Sequence, residues 1–128
     1  MLEAKQANLV ALIHPSAVVS QYSQIGDGAV VMAGAVINPF ASIGLASIIN
    51  TGATVDHDCV LGDGVHISPG ANVAGTVSIG NESWVGIGAI IKQGLLIGEK
   101  VTVGAGAVVV SNLPSNVVAI GVPAKVKK

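Results

Sequence analysis

The sequence predicts an all-β fold, a parallel β-helix wound as a triangular prism. Three observations carry this. Aliphatic residues recur at every sixth position without a break, a small residue stands four positions after most of them, and seventeen glycines accompany only three aromatic residues, Tyr22, Phe40 and Trp84. The aliphatic series runs from Ile13, Val19 and Ile25 through Val55, Leu61 and Ile67 to Val103 and Val109. The small series includes Ala29, Ala35, Ala41, Ser47, Ala53 and Cys59. A period of six fits neither the 3.6 of a helix nor the 2 of an alternating strand. It fits the hexapeptide repeat of a β-helix.

Each hexapeptide then makes one short strand and one corner, and three complete a coil of about 18 residues. The branched side chain fills the prism axis. A corner has little room, hence the small residue, and glycine recurs where the backbone needs positive φ or close approach. The repeat from Ile13 to Val109 makes a little over five coils, a prism roughly 25 Å tall at about 4.8 Å per coil. Each buried aliphatic contributes on the order of 1.5–3 kcal/mol, against roughly 1–2 kcal/mol per residue of backbone ordering, which leaves a lone prism marginal.

The chain of 128 residues is expected to hold one domain. Residues 1–12 have helix-compatible composition and are assigned as an amino-terminal cap, with Leu2, Leu9, Val10 and Leu12 over the first coil. Residues 13–128 form the β-helix domain. Its repeat breaks at Asn112-Leu113-Pro114, and VVAIGVPAKVKK reads as a return segment closing the last coils.

Stacked at 18 residues, the outward positions sort by face. Val18, Val36, Thr54, Asn72, Ile90 and Val108 share one; Val30, Ile48, His66, Trp84 and Thr102 the next; Gln24, Ser42, Val60, Ser78 and Leu96 the third. The first two are apolar, and apolar outward faces point to a buried interface. A threefold ring uses two different patches on each subunit, so a homotrimer is expected.

Six lysines, no arginine and seven acidic residues offer no basic field for nucleic acid. The uncharged run between Asp27 and Asp56 is interrupted by Gly34, Asn38, Pro39 and Gly44, which argues against a membrane span. MLEAKQANLV carries no visible secretory signal, and a cytoplasmic location is expected. The single Cys59 has no partner for an internal disulfide or a metal pair and reads as a small core residue.

Chemistry concentrates in VDHDCVLGDGVHISPG, residues 55–70. His57 falls at a corner, and 18 residues on stands Gly75, a bare backbone one coil away. An imidazole beside an unobstructed peptide N–H is the pairing needed to deprotonate a nucleophile and stabilise the oxyanion it creates. By position alone His57 is either such a base or a solvated turn residue, and Asp56 and Asp58 are also ordinary turn formers. His66 lies between Ile48 and Trp84 on an apolar face, where it either faces an inter-subunit groove or is a polar residue on the scaffold. His14, before Pro15, reads as structural.

Residues 13–125, through IHPSAVVS, INTGATVDHDCVLGDGVHISPGANVAG and GVPAK, resemble the hexapeptide-repeat domain of the sialic acid O-acetyltransferase and nucleotide-sugar N-acetyltransferase family. The resemblance implies a left-handed parallel β-helix and an acetyltransferase using acetyl-CoA as cosubstrate, with no metal, acting on an amine or hydroxyl of a sugar or nucleotide-sugar. It implies that His57 is the general base, Asp58 orients it, Gly75 is a backbone donor, and His66 contacts acetyl-CoA. Ile87, Gly88, Ala105 and Lys125 are further expected contacts of the cosubstrate. Members of that family usually carry an additional amino-terminal α/β domain, so two further readings are a catalytic domain that works with a separate acceptor-binding partner and a non-catalytic trimeric scaffold. A γ-type carbonic anhydrase needs three zinc-binding histidines, and only His57 and His66 are close in sequence. An ice-binding helix needs a repeated polar array, which the mixed third face does not provide.

Overall fold

A computed structural model describes residues 10–127. The hexapeptide frame sets every element. On the first face lie β1 (Leu12–Ile13), β4 (Val30–Val31), β7 (Ile48–Ile49), β10 (His66–Ile67), β13 (Trp84–Val85), β16 (Thr102–Val103), β18 (Val118–Ile120) and β19 (Lys125–Val126). The second face holds β2 (Val18–Val19), β5 (Val36–Ile37), β8 (Thr54–Val55), β11 (Asn72–Val73), β14 (Ile90–Ile91) and β17 (Val108–Val109). The third holds β3 (Gln24–Ile25), β6 (Ser42–Ile43), β9 (Val60–Leu61), β12 (Ser78–Ile79) and β15 (Leu96–Ile97).

Pairing is parallel with partners 18 residues apart, as in Val30↔Ile48, Ile48↔His66 and His66↔Trp84. The three outward rows read from the sequence are therefore the three observed faces. One residue of each strand points to the axis, and from Val31 to Val109 that column is buried. The small residue four positions on is buried as well, at Ala29, Ala53, Cys59 and Ala71 among others.

At the corners the backbone takes a left-handed conformation. Glycine supplies it at Gly52, Gly64, Gly70 and Gly88, but Phe40, Asp58, Thr76 and Glu82 adopt it too. The corner between the third and first faces carries Gly26, Gly44, Gly62, Gly80 and Gly98. A Cβ on any of the first four would run into the coil above, and on Gly98 into Ser115.

The coil extends past the break expected at Asn112-Leu113-Pro114. Leu113 is buried and bridges Ile97 in parallel, and β18 then pairs in parallel with β16. The reversal comes later: after Gly121, β19 returns antiparallel to β18, with Ile120 opposite Lys125. An aliphatic residue in the axial slot is enough to continue the prism even where Pro114 removes a backbone donor. The described residues contain no helix, and no helix among them is long and apolar enough to cross a membrane. The cap assigned to residues 1–12 falls outside the described residues for residues 1–9, while Leu12 already belongs to β1.

Candidate active site

His57 stands at the corner between the second and third faces, in the turn joining β8 to β9. The turn is pinned from beneath. Asp56 Oδ1 accepts hydrogen bonds from the His57 N–H at 2.7 Å and from Asn38 Nδ2, one coil earlier, at 2.8 Å. These bonds, the His57 N–H first, hold the Asp56 carboxyl below its ordinary range. Asp58 follows at φ 58°, a conformation that aspartate tolerates better than most side chains.

The Asp58 carboxylate Oδ2 lies 3.0 Å from His57 Nδ1. A carboxylate only accepts, so this bond keeps a proton on Nδ1 and leaves the Nε2 lone pair free. Nε2 reaches over Gly75: a Cβ there would lie 2.5 Å from it. Among the described residues the Gly75 N–H donates to no partner, whereas the neighbouring Ala74 and Thr76 N–H groups bond to Ile91 and His57. A free imidazole nitrogen and a free peptide donor thus share one exposed corner, a pair suited to proton abstraction and oxyanion stabilisation.

His66 lies elsewhere, on the first face, which is opposite the His57 corner. One prism does not bring the two histidines into a single site. The His66 ring packs on Trp84 with centroids 3.9 Å apart. Its Nε2 is 3.2 Å from Asn50 Nδ2. The Asn50 amide is oriented because its Oδ1 accepts the Thr51 N–H at 2.7 Å. Asn50 therefore donates to Nε2, and the His66 proton sits on Nδ1. Burial lowers the His66 pKa, which favours the neutral ring.

His66 opens onto a cleft of about 350 Å³ lined by Ser68, Pro69, Trp84, Gly86, Ile87, Thr102, Val103, Gly104 and Ala105. Three of the expected contact residues, His66, Ile87 and Ala105, line this cleft. Gly88 sits at the turn just beyond, with open space where its side chain would be. Lys125 lies on β19, two strands beyond β16 on the same sheet, outside the lining. Ser68, Pro69 and the glycine pair Gly86 and Gly104 were not singled out from the sequence. Their signal is the 18-residue column, in which Ser68, Gly86 and Gly104 are stacked and lose their side chains as the cleft deepens.

Cys59 is fully buried, and desolvation raises its pKa. Its Sγ points inward to the Ala74 carbonyl at 3.0 Å. No group of three metal-ligating side chains occurs among the described residues.

Residues 76–111 match the family model "Hexapeptide repeat of succinyl-transferase". Among solved structures, the acetyltransferase domain of PglB from Neisseria gonorrhoeae, also determined with acetyl coenzyme A, is 48% identical at a TM-score of 0.93, over 94% of this chain and 58% of that one. The chain carries the hexapeptide-repeat, left-handed β-helix of the sugar acetyltransferases. PerB from Caulobacter crescentus, in complex with CoA and GDP-perosamine, is 53% identical to this hexapeptide-repeat chain over the same shares, at a TM-score of 0.93. WeeI from Acinetobacter baumannii is 34% identical over 91% of this chain and 57% of that one, at a TM-score of 0.89. The hexapeptide-repeat chain thus spans a little under three fifths of the length of these relatives, 57–58%. No curated protein matches it.

Proposed function

We propose that this protein is an acetyl-CoA-dependent acetyltransferase that acetylates an amine or hydroxyl of a sugar or nucleotide-sugar. The observation that carries the reading is the His57 arrangement: Nδ1 tied to Asp58, and Nε2 unpaired above the free Gly75 N–H. His57 Nε2 takes the proton of the acceptor as its nitrogen or oxygen forms a bond to the thioester carbonyl carbon. The Gly75 N–H supports the oxyanion, the C–S bond breaks, and coenzyme A leaves as the thiol once protonated. Asp58 holds the imidazole in the tautomer this needs and stabilises the imidazolium. No acyl-enzyme forms.

Acetyl-CoA occupies the cleft beside His66, along Ile87, Gly88 and Ala105, with Lys125 toward its phosphates. Because the His57 corner and the His66 face are opposite sides of one prism, the complete site takes His57 from one subunit and the cleft from its neighbour. A homotrimer meets this requirement, since a threefold ring juxtaposes two different patches. Exposed Val18, Trp84, Ile87 and Ile90 support the same assembly. The protein works in the cytoplasm, where acetyl-CoA and nucleotide-sugars are available.

The test is acetyl-CoA binding by calorimetry on the purified chain and on His66→Ala, followed by thiol release with GDP-perosamine and UDP-linked amino sugars as acceptors. Micromolar binding that His66→Ala abolishes, and turnover that His57→Ala abolishes, are expected. A well-folded protein that binds no acetyl-CoA overturns the reading.

A further inference from the structure

Tyr22 and Phe40 form an aromatic pair that the scaffold does not account for. Their ring centroids are 5.8 Å apart at an interplanar angle of 29°. Both are largely exposed, 59% and 62%, so neither ring contributes to the core. Phe40 also adopts φ 67°, a region that bulky residues rarely occupy and that glycine fills at most other corners. The unfavourable backbone of Phe40 and the exposed position of both rings have no structural return within this chain.

Their location supplies a reason. Tyr22, Phe40, Asp58 and Thr76 are successive members of one corner column, linked by bonds such as Phe40 N–H to the Tyr22 carbonyl and Thr76 N–H to the His57 carbonyl. The aromatic pair therefore begins one coil, about 4.8 Å, from Asp58. It lies on the early-coil side of His57. Gly75 and the cleft from His66 to Ala105 lie on the later-coil side. A threefold rotation leaves heights along the prism unchanged, so the neighbour's cleft is on that later side as well. The acetyl donor thus approaches His57 from one direction, and the body of the acceptor has the other.

Resting on the transferase reading above, we propose that Phe40, backed by Tyr22, is the acceptor subsite, on which the pyranose ring of the sugar stacks while its nucleophile reaches His57 Nε2. A flat, exposed aromatic face suits the apolar C–H face of a pyranose. The spacing selects the sugar ring: a pyranose whose nucleophile lies at His57 reaches back about one coil, whereas a nucleobase beyond a diphosphate lies farther away.

The experiment uses Phe40→Asn, which keeps a residue tolerant of positive φ, and Tyr22→Ser. For each, KM for the acceptor, KM and Kd for acetyl-CoA, and molar mass in solution are measured, with the same nucleotide-linked amino sugars as probes. The expected result is at least a tenfold rise in acceptor KM for Phe40→Asn and a smaller rise for Tyr22→Ser, with acetyl-CoA constants and assembly unchanged. Unchanged acceptor KM in active variants overturns the subsite. So does dissociation of the oligomer, which makes the pair an interface contact, and so does a wild type that binds acetyl-CoA but transfers to none of the probes. A wild type that binds no acetyl-CoA removes the transferase reading itself, and the subsite with it.

Discussion

The His57 imidazole is seated over the α-carbon of Gly75, so close that a methyl group there would lie 2.5 Å from Nε2. The obstruction is a ring 56% exposed, free to swing outward. Gly75→Ala therefore costs little stability, within about 0.5–1 kcal/mol, yet displaces the base and shields the peptide donor. We expect kcat to fall about 100-fold or more, with the urea midpoint nearly unchanged. Gly44→Ala is the control: its Cβ would strike the Gly62 backbone, and the cost is about 3 kcal/mol or more in the same urea titration.

Asp58→Asn separates orientation from backbone effects, because asparagine also tolerates the positive φ seen at this position. An amide that turns its NH2 toward Nδ1 favours the tautomer with the proton on Nε2, which cannot act as the base. Since the pair is half exposed, we expect kcat to drop roughly 10- to 100-fold rather than the ~10⁴ of a buried pair. Acetyl-CoA affinity by calorimetry should not change.

Cys59 should be dispensable as a nucleophile. Its Sγ bonds the Ala74 carbonyl across 15 residues, the geometry in which Ser47 Oγ meets Gly62 and Ser83 Oγ meets Gly98. A hydroxyl is thus already accommodated twice at equivalent positions. Cys59→Ser is expected to fold and to retain wild-type kcat within about twofold, because the change is nearly isosteric. With the thiol buried and its pKa raised, the native protein should resist an aromatic disulfide reagent until it unfolds. Rapid labelling coupled to loss of turnover would contradict this.

The cleft has a pH signature. Burial holds His66 below its ordinary value of 6.5, so the folded state binds fewer protons there than the unfolded chain. The contribution of the neutral ring is complete above 6.5 and is lost as the pH falls through the lowered value. Protonation places an N–H on Nε2 facing the Asn50 amide, donor against donor, so acetyl-CoA affinity should be level at neutral and alkaline pH and fall on the acid side. Asn50→Asp turns that neighbour into an acceptor. The acid limb should then move to higher pH, which NMR titration of His66 and calorimetry across pH would show.

The sequence made the site legible wherever contacts run along the 18-residue column. His57 above Gly75 and His66 between Ile48 and Trp84 are both column relations, and both are observed. The Asn50–His66 bond was not legible, because it crosses columns, joining residues 16 apart through side-chain reach. The continuation through Leu113 was hidden by the loss of six-residue spacing after Val109. The axial slot selects for shape and tolerates an irregular connection, provided an aliphatic residue arrives in it.

The stacking of corners also sets what lengths of insertion the chain tolerates between Asp58 and Gly75. One added hexapeptide would turn everything downstream by a third of a revolution, leaving Gly75 on a different edge from His57 while the hydrophobic axis stayed intact. A full extra coil would restore the edge but put a layer between the two residues. Additions beyond either end of the site keep His57 and Gly75 in adjacent layers. The prism can therefore lengthen or shorten by evolution or engineering at its ends, while the segment from His57 to Gly75 is fixed to the residue.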